Sequence, residues 1–482
     1  MAIRRRSPID GVEKSNNLFD RKNNPVGKKK SYFCHYMRVV SFSLLLITFL
    51  WLHNDLASIS HMTTEFTMTN NPDNEKSSPM LERPLKCTME QLMKVRSQLP
   101  PELCVLSHVN HVPFYQKCSI TRATKCPKSP WIDQHYRERY NQHYESSPGS
   151  LAHNKKQSFV GISIGCNKGF DAINTFRMGI FDASINKSVW NLAMTNNGTD
   201  TLHENVCNQN APEDIFQIPQ PDSSDAVSSN NQKEPPQGEM HCVEPMPVTY
   251  KMLSRSAENL GYAQKGFKVT HAAVSKQSGE MLFPSTGKVG IENQGLATCQ
   301  KNKDKCVTVP VYSLKEFVEK NVKADKSEPI NILSIDVEGF DGDVLLGATD
   351  EVLNRVEYLE FEYNWMGSWE KQHLYDIIEM LDATASMTCY WAGVERLWRI
   401  TECWMSYFDI RTWSNIACVN RVRVPELASK MEDVFLHTIE EDYSDIVSPT
   451  VKNRAHKKVE NHILMSLDEK VLRSKYIPSQ KK

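Results

Sequence analysis

The sequence lacks the features that mark several common classes of protein. Its 482 residues carry a formal net charge of −1, so the composition does not indicate a nucleic-acid partner. No Cys-x-x-Cys or Cys-x-x-His spacing occurs, which argues against a zinc site, and no metal ligands are predicted. No internal repeat is visible, so repeat architectures are not indicated. What remains is a chain of ordinary globular composition, long enough for one large domain or two modest ones.

The N-terminal region is basic and is followed by an uncharged apolar run. Residues 1–38 carry ten Lys or Arg against three acids, and residues 39–52 read VVSFSLLLITFLWL. Fourteen residues give about 21 Å of helix, which is less than the roughly 30 Å hydrocarbon core, so we extend the predicted transmembrane helix to residues 37–57. The basic flank predicts a cytoplasmic tail, residues 1–36, and a single-pass type II signal anchor with the remainder in the lumen.

The alternative is a cleaved signal peptide, because Ala57 and Ser58 are small enough for cleavage. A basic segment of this length is unusual in cleaved signals, which favours the anchor. The shortness of the anchor favours the thin membranes of the endoplasmic reticulum or Golgi.

Cysteine usage agrees with a luminal location. One cysteine, Cys34, precedes the anchor and twelve follow it, and an even number in an oxidising compartment predicts disulfides. Cys299 and Cys306 flank a KNKDK loop and form the best local pair. Sequons for N-glycosylation begin at Asn186 and Asn197.

The chain after the anchor divides by composition. Residues 58–85 are polar and aperiodic and predict a stem. Residues 86–157 contain four clustered cysteines, and we interpret them as an accessory subdomain that packs on a larger domain at 158–420. The larger domain has a polar insertion at 184–239, and residues 421–482 are predicted to be a polar, partly helical tail.

From residue 158 short apolar runs alternate with helical patterns. The predicted strands are SFVGISIG, MHCVEP, FKVTHAAVS, VTVPVYS, INILSIDVEG and VEYLEFEY. Strands separated by helices predict βαβ units, and hence an α/β fold with a doubly wound, mainly parallel sheet. Ligands bind such sheets at the carboxyl ends of the strands.

The first three predicted strands end in residues suited to a nucleoside. The first leads into the loop 165–169 (GCNKG), where glycine allows close approach to a ligand, although a plain tight turn fits equally well. The second ends at Glu244, which could bind ribose hydroxyls or simply begin a helix. The third ends in the small residues 272–274, and His271 before them is interpreted as a strand residue and not as a catalyst.

The ordered blocks HCVEPMPVTYKML, THAAVSKQSGEMLF and NILSIDVEGFDGDVLLGA resemble the FkbM-type S-adenosylmethionine-dependent methyltransferases. The resemblance covers roughly residues 158–365. It implies a class I methyltransferase fold, S-adenosyl-L-methionine as cofactor, and methylation of an oxygen or, less often, of another nucleophile.

The resemblance also implies a set of cofactor-binding residues by position. They surround the methionine, ribose and adenine parts of the cofactor and are Gly165, Asn167, Gly169, Glu244, Ala272, Ala273, Val274 and Asp336. The chain departs from the family pattern at Ser163, where an acid is usual, and in the insertion before Glu244.

The candidate catalytic residues are Asp336 and Glu338, which match the family signature, and Glu362, which lies at the end of the predicted strand VEYLEFEY. Because side chains alternate along a strand, Asp336 and Glu338 are expected to point to opposite faces and therefore to differ in role. Glu338 is the candidate for the base or for the group that positions the acceptor. The predicted topology makes a glycan the leading acceptor, before a secreted small molecule or a lipid head group. Five tryptophans between residues 366 and 420 could stack on sugars, but such residues more often fill a core.

Two other functions stay open. Asp341-Gly342-Asp343 matches the short Asp-x-Asp pattern of metal-dependent glycosyltransferases, although acids are also favoured in the first turn of a helix by its dipole. Ser163 keeps open a non-catalytic, methyltransferase-like binding protein.

Overall fold

The computed structural model describes residues 86–441 apart from 102–103, 110–111, 117, 146–157, 196–236, 286–288, 291–298 and 300–304. The predicted tail, anchor and stem, residues 1–85, therefore lie outside the described residues. No helix in the described part of the chain is long and apolar enough to cross a membrane.

The region after the predicted stem consists of helices and one hairpin. Its elements are α1 (Met89–Gln98), β1 (Val105–Val109), β2 (Val112–Gln116), α2 (Ser119–Thr124) and α3 (Pro130–Glu145). Trp131 is buried in the same hydrophobic core as the main sheet, and its Nε1 donates a hydrogen bond to Tyr358 Oη at 3.3 Å. The predicted accessory region thus shares one core with the larger domain.

The larger region alternates strands and helices as predicted. Its elements are β3 (Phe159–Ile164), α4 (Phe170–Ile180), α5 (Lys187–Met194), β4 (Gly238–Val243), α6 (Pro247–Asn259), β5 (Phe267–Thr270), β6 (Ala273–Ser275), β7 (Gly279–Pro284), β8 (Cys306–Ser313), α7 (Leu314–Asn321), β9 (Ile330–Ile335), α8 (Asp341–Leu346), α9 (Asp350–Leu353), β10 (Val356–Tyr363), α10 (Leu374–Ala385), β11 (Met387–Ala392), β12 (Leu397–Arg399), β13 (Ser414–Asn420) and α11 (Pro425–Glu440). Two 3₁₀ turns, Gly367–Glu370 and Ser406–Asp409, follow β10 and β12.

The main sheet has eight strands within the described residues, in the order β12-β11-β13-β10-β9-β3-β4-β5. The strands β10, β9, β3, β4 and β5 are parallel, and the remaining three pair antiparallel. The predicted α/β fold with a mainly parallel sheet is confirmed. From β3 the chain moves outward to β5 and later returns to β9 on the other side of β3, which makes the β3–β9 boundary the switch point where such sheets bind ligands.

The third predicted strand, residues 267–275, is in fact two separate strands that belong to two different sheets. β5 is the edge of the main sheet, whereas β6 joins a three-stranded sheet of order β6-β8-β7. The prediction that β8 belongs to the parallel succession is therefore wrong as well. A tight turn separates β5 from β6, with Ala272 N donating to Thr270 O at 3.2 Å. Apolar periodicity identifies a strand but does not identify its partners.

Two predicted boundaries also differ from the structure. Residues 187–194, inside the predicted polar insertion, form α5, whose Trp190 is fully buried. The predicted polar tail begins with α11, which buries Leu427, Met431 and Phe435 against the core. Both helices lie within longer stretches that are polar, so the composition of the whole stretch hides the apolar face that the helix buries.

Disulfides connect both local and distant parts of the described chain. They are Cys87–Cys403, Cys104–Cys118, Cys166–Cys242, Cys299–Cys306 and Cys389–Cys418, and Cys126 is also disulfide-bonded. The predicted local pair Cys299–Cys306 is confirmed. Trp369, Trp391 and Trp398 are fully buried, as the core interpretation of the tryptophans expects.

Candidate functional site

A cleft opens at the carboxyl ends of β3, β4 and β9, at the switch point of the main sheet. Its empty volume is about 860 Å³, including the part that is open to solvent. Residues from these strand ends, from β6 and β7 and from the start of α6 form its walls. The structure therefore has a cleft at the carboxyl ends of the parallel strands, where the sequence predicted that a ligand would bind.

Most of the predicted site residues line this one cleft. They are Gly165, Asn167, Glu244, Ala272, Ala273, Val274, Asp336 and Glu338. Gly169 and Glu362 are outside the lining. Gly169 ends the loop and precedes α4, while Glu362 lies near the end of β10 and interacts electrostatically with Asp336 and Glu338.

The loop after β3 has a backbone that ordinary residues rarely adopt. Gly165, Asn167 and Gly169 have φ angles of 78°, 49° and 75°. A Cβ on Gly165 would lie 1.8 Å from Asp336 O, so glycine is required there both by conformation and by close approach. Gly165 N and Cys166 N donate to Val243 O at 3.0 Å, which ties the loop to β4.

Glu244 supports this loop from the end of β4. The side chain is 4% exposed, and its two oxygens accept hydrogen bonds from Asn167 N and Met246 N, both at 2.8 Å. Burial raises the pKa of Glu244 to about 7, and the two backbone donors only partly oppose that shift. The carboxyl group therefore fixes the loop and also lines the cleft.

A disulfide that was not predicted from the sequence lies beside the same loop. Cys166 is in the loop and Cys242 is in β4, two residues before Glu244. The two are separated by 76 positions, so sequence spacing gave no signal for the pair. Only the parallel alignment of β3 and β4, which places Ser163 opposite Cys242, brings them together.

The turn after β9 carries the other predicted residues. Asp336 N donates to Ile164 O at 2.9 Å, which fixes the exit of β9 to the end of β3. Glu338 has a φ of 55° and Gly339 has a φ of 96°, so the turn passes through left-handed backbone at two successive residues. Such strain in a non-glycine residue concentrates at functional sites.

Four carboxylates, Asp336, Glu338, Asp341 and Glu362, interact electrostatically and are called the acid cluster below. Glu362 accepts a hydrogen bond from Asn364 Nδ2 at 2.8 Å and another from Trp413 Nε1. Burial, together with the charges of the other three acids, raises the pKa of Glu362 well above its ordinary value. The cluster therefore holds a proton readily and favours a positive charge nearby.

Asp341 and Asp343 occupy the first turn of α8, as predicted, but neither forms a side-chain cap. Asp341 is fully buried, its Oδ1 accepts from Glu362 N at 3.2 Å, and burial raises its pKa to about 7. Asp343 Oδ1 accepts from Gln372 Nε2 at 2.6 Å. Neither lines the cleft, and the described residues contain no group of three or more His, Cys, Asp or Glu suited to a metal ion.

Two other residues singled out in the sequence lie outside the cleft lining. His271 stacks on Tyr250, with ring centroids 4.6 Å apart, and its Nε2 is 3.1 Å from Pro245 O. Ser163 is buried in β3, opposite Ser334 of β9. Neither position brings the side chain into the cleft.

The apolar residues that line the cleft were not predicted from the sequence. They come from the start of α6, from β7 and from the turn after β9, and comprise Met246, Met281, Phe283, Val337 and Phe340. The small sheet supplies Met281 and Phe283, and its position beside the main sheet could not be derived from periodicity.

Comparison with known proteins adds one finding. The family profile described as the Methyltransferase FkbM domain matches residues 216–386, from before β4 to the end of α10. The match supports an FkbM-family methyltransferase, for which S-adenosylmethionine is the implied cofactor, and its range starts after the loop 165–169. No curated protein matches the chain, and no solved structure matches it.

Proposed function

We propose that this chain is an S-adenosylmethionine-dependent methyltransferase that methylates a hydroxyl group of a glycan in the secretory pathway. The observation that carries the proposal is the single cleft shared by the loop 165–169, Glu244 and the turn after β9. The FkbM match supports the reaction, and the disulfides of the described chain support an oxidising compartment.

The residues of the cleft fit the proposed cofactor. Left-handed backbone at Gly165 and Asn167 permits close approach of the methionine part. Glu244 retains lone pairs for the ribose hydroxyls, and the small side chains of residues 272–274 leave room for a planar base. The acid cluster favours a cationic ligand, and the bound cofactor would supply an electrophilic methyl group on a positively charged sulfur.

The protein's own contribution is to position the acceptor and receive a proton. Glu338, in the cleft, would accept the proton that the acceptor hydroxyl loses on methylation. Asp336, held against Ile164 by its backbone, would orient the two reactants for an in-line displacement. Asn364 and Trp413 would hold the side chain of Glu362 in place beside the other acids.

The first test is calorimetry of the purified luminal region with S-adenosylmethionine and, separately, with nucleotide sugars with and without Mn²⁺. We expect binding of S-adenosylmethionine alone. Binding of a nucleotide sugar only in the presence of Mn²⁺ would instead support the glycosyltransferase alternative, and binding of neither would support a non-catalytic role.

The acceptor requires a separate test. Glycans released from cells with and without the gene should be compared by mass spectrometry. Loss of a single-methyl mass increment in the deficient cells, restored by the intact gene and not by a Glu338→Gln variant, is the expected result. Identical glycans in both cell lines would contradict a glycan acceptor.

A further inference from the structure

The connection between α4 and α5 presents a glycosylation sequon in a defined geometry. Asn186, Lys187 and Ser188 form the sequon, and Asn186 is the N-cap of α5. Asn186 N donates to Tyr262 Oη at 3.0 Å, so its backbone is fixed to the turn that follows α6. Asn186 Oδ1 accepts from Ser188 N at 2.8 Å and from Val189 N at 3.1 Å.

This geometry uses the oxygen of the amide and leaves the nitrogen available. Asn186 Nδ2 donates to no described atom, and it is not among the buried unpaired atoms of the described residues. Substitution at Nδ2 would leave Oδ1 free to cap α5 as before. A glycan at this position is therefore compatible with the folded structure.

The next turn of α5 offers a surface that a glycan could cover. Val189 and Leu192 are 43% and 56% exposed, whereas Trp190 and Met194 on the other side are buried. Val189 lies three residues after Asn186, which is about one helical turn. A polar oligosaccharide here would shield exposed apolar side chains.

We propose that Asn186 is N-glycosylated. The bond that forms joins Nδ2 to the anomeric carbon of an oligosaccharide carried on a lipid diphosphate. The bond that breaks joins that carbon to the diphosphate, which leaves with the bonding electrons, and the proton lost from Nδ2 passes to a base of the transferase. This inference depends on the luminal location in the proposed function and not on methyl transfer.

The test uses the full chain expressed in cells with a secretory pathway. Intact protein is treated with peptide N-glycosidase, and the peptide that contains Asn186 is analysed by mass spectrometry for the Asn-to-Asp conversion that the enzyme leaves. We expect conversion at Asn186 and a matching loss of mass in the intact protein. Glycosylation of Asn197 is determined in the same way from the peptide that contains it.

Ser188 provides matched variants. Ser188→Ala removes the hydroxyl that the sequon needs but keeps the backbone N–H that bonds Asn186, so the helix cap survives. Ser188→Thr keeps both. We expect S188A to lose one glycan and S188T to retain it.

An unmodified Asn186 in a chain that is glycosylated at Asn197 would overturn the proposal for this site. An unmodified chain with free thiols at Cys299 and Cys306 would overturn both the proposal and the luminal location. Neither result would alter S-adenosylmethionine binding measured by calorimetry, so a failure here is distinguishable from a failure of the methyltransferase function.

Discussion

Asp341 shows how complete burial changes a single carboxyl group. Its Oδ2 has no hydrogen-bond donor among the described residues, and its pKa rises from 3.8 to about 7. Between these values the native state retains a proton that the unfolded chain releases, so stability falls with increasing pH. The contribution of this group is complete below about pH 3.8 and is lost as the pH rises through 7.

Asp341→Asn should remove this loss of stability at high pH, because the amide has the shape of the protonated acid and does not ionise. We expect the variant to be nearly equal to the parent protein in free energy of unfolding at pH 4 and to exceed it at pH 8 by about 4 kcal/mol. Denaturant unfolding at both pH values provides the measurement. Asp343→Asn is the control for an amide in the same helical turn, and equal stability of D341N and the parent at pH 8 would refute the argument.

Glu338→Gln tests the proposed base. We expect turnover to fall by about 100-fold or more, since general base catalysis contributes at least that much. The affinity for S-adenosylmethionine should be largely retained, because the other three acids of the cluster remain. Glu395→Gln is a matched control, because Glu395 has a φ of 59° and is exposed outside the cleft. Unchanged turnover in E338Q would end the assignment.

The loop 165–169 is the element that connects the sheet to the proposed cofactor. The preceding strand and the following helix were predictable, because a β-branched run and a helical apolar spacing flank the loop. Its support by Glu244 and by the Cys166–Cys242 disulfide was not predictable, since both depend on the alignment of β3 with β4.

Gly165→Ala should disrupt this element. The added Cβ would collide with Asp336 O, and left-handed backbone alone costs a non-glycine residue about 1–2 kcal/mol. We expect a lower thermal midpoint and a loss of S-adenosylmethionine binding in calorimetry. Gly279→Ala is the control, because nothing lies within 4 Å of a Cβ placed there. Equal cofactor binding by both variants would contradict the role of the loop.

At the scale of the whole molecule, one hydrophobic core unites regions that the sequence divides. The sequence predicted the parallel strands and their order along the chain, and eight of the ten cofactor-site and catalytic candidates line one cleft. Composition misplaced the boundaries because Trp131, Trp190 and Phe435 contribute apolar faces within polar stretches. The burial of Asp341 and the contact of Trp413 with Glu362 depend on packing between distant segments, which no local pattern encodes.

Truncation tests the extent of this core. A chain that ends after Asn420 lacks α11, which removes four large buried apolar side chains worth about 2 kcal/mol each. That sum approaches the whole stability of a typical domain, so we expect aggregation and a loss of cooperative unfolding. A chain that ends after Glu441 keeps every described element and should unfold as the parent does. A soluble, cooperatively folding product of the shorter chain would show that α11 is dispensable.

The Cys166–Cys242 disulfide has a consequence for the continuity of the backbone. It closes a ring that contains α4, α5 and residues 196–236. A single proteolytic cut inside this ring would leave two fragments joined covalently both here and by Cys87–Cys403, and the Cys166–Cys242 bond would keep β3 beside β4. The nicked chain would therefore run as one band without reducing agent, and the pairing of these two strands would not require an intact peptide backbone between them.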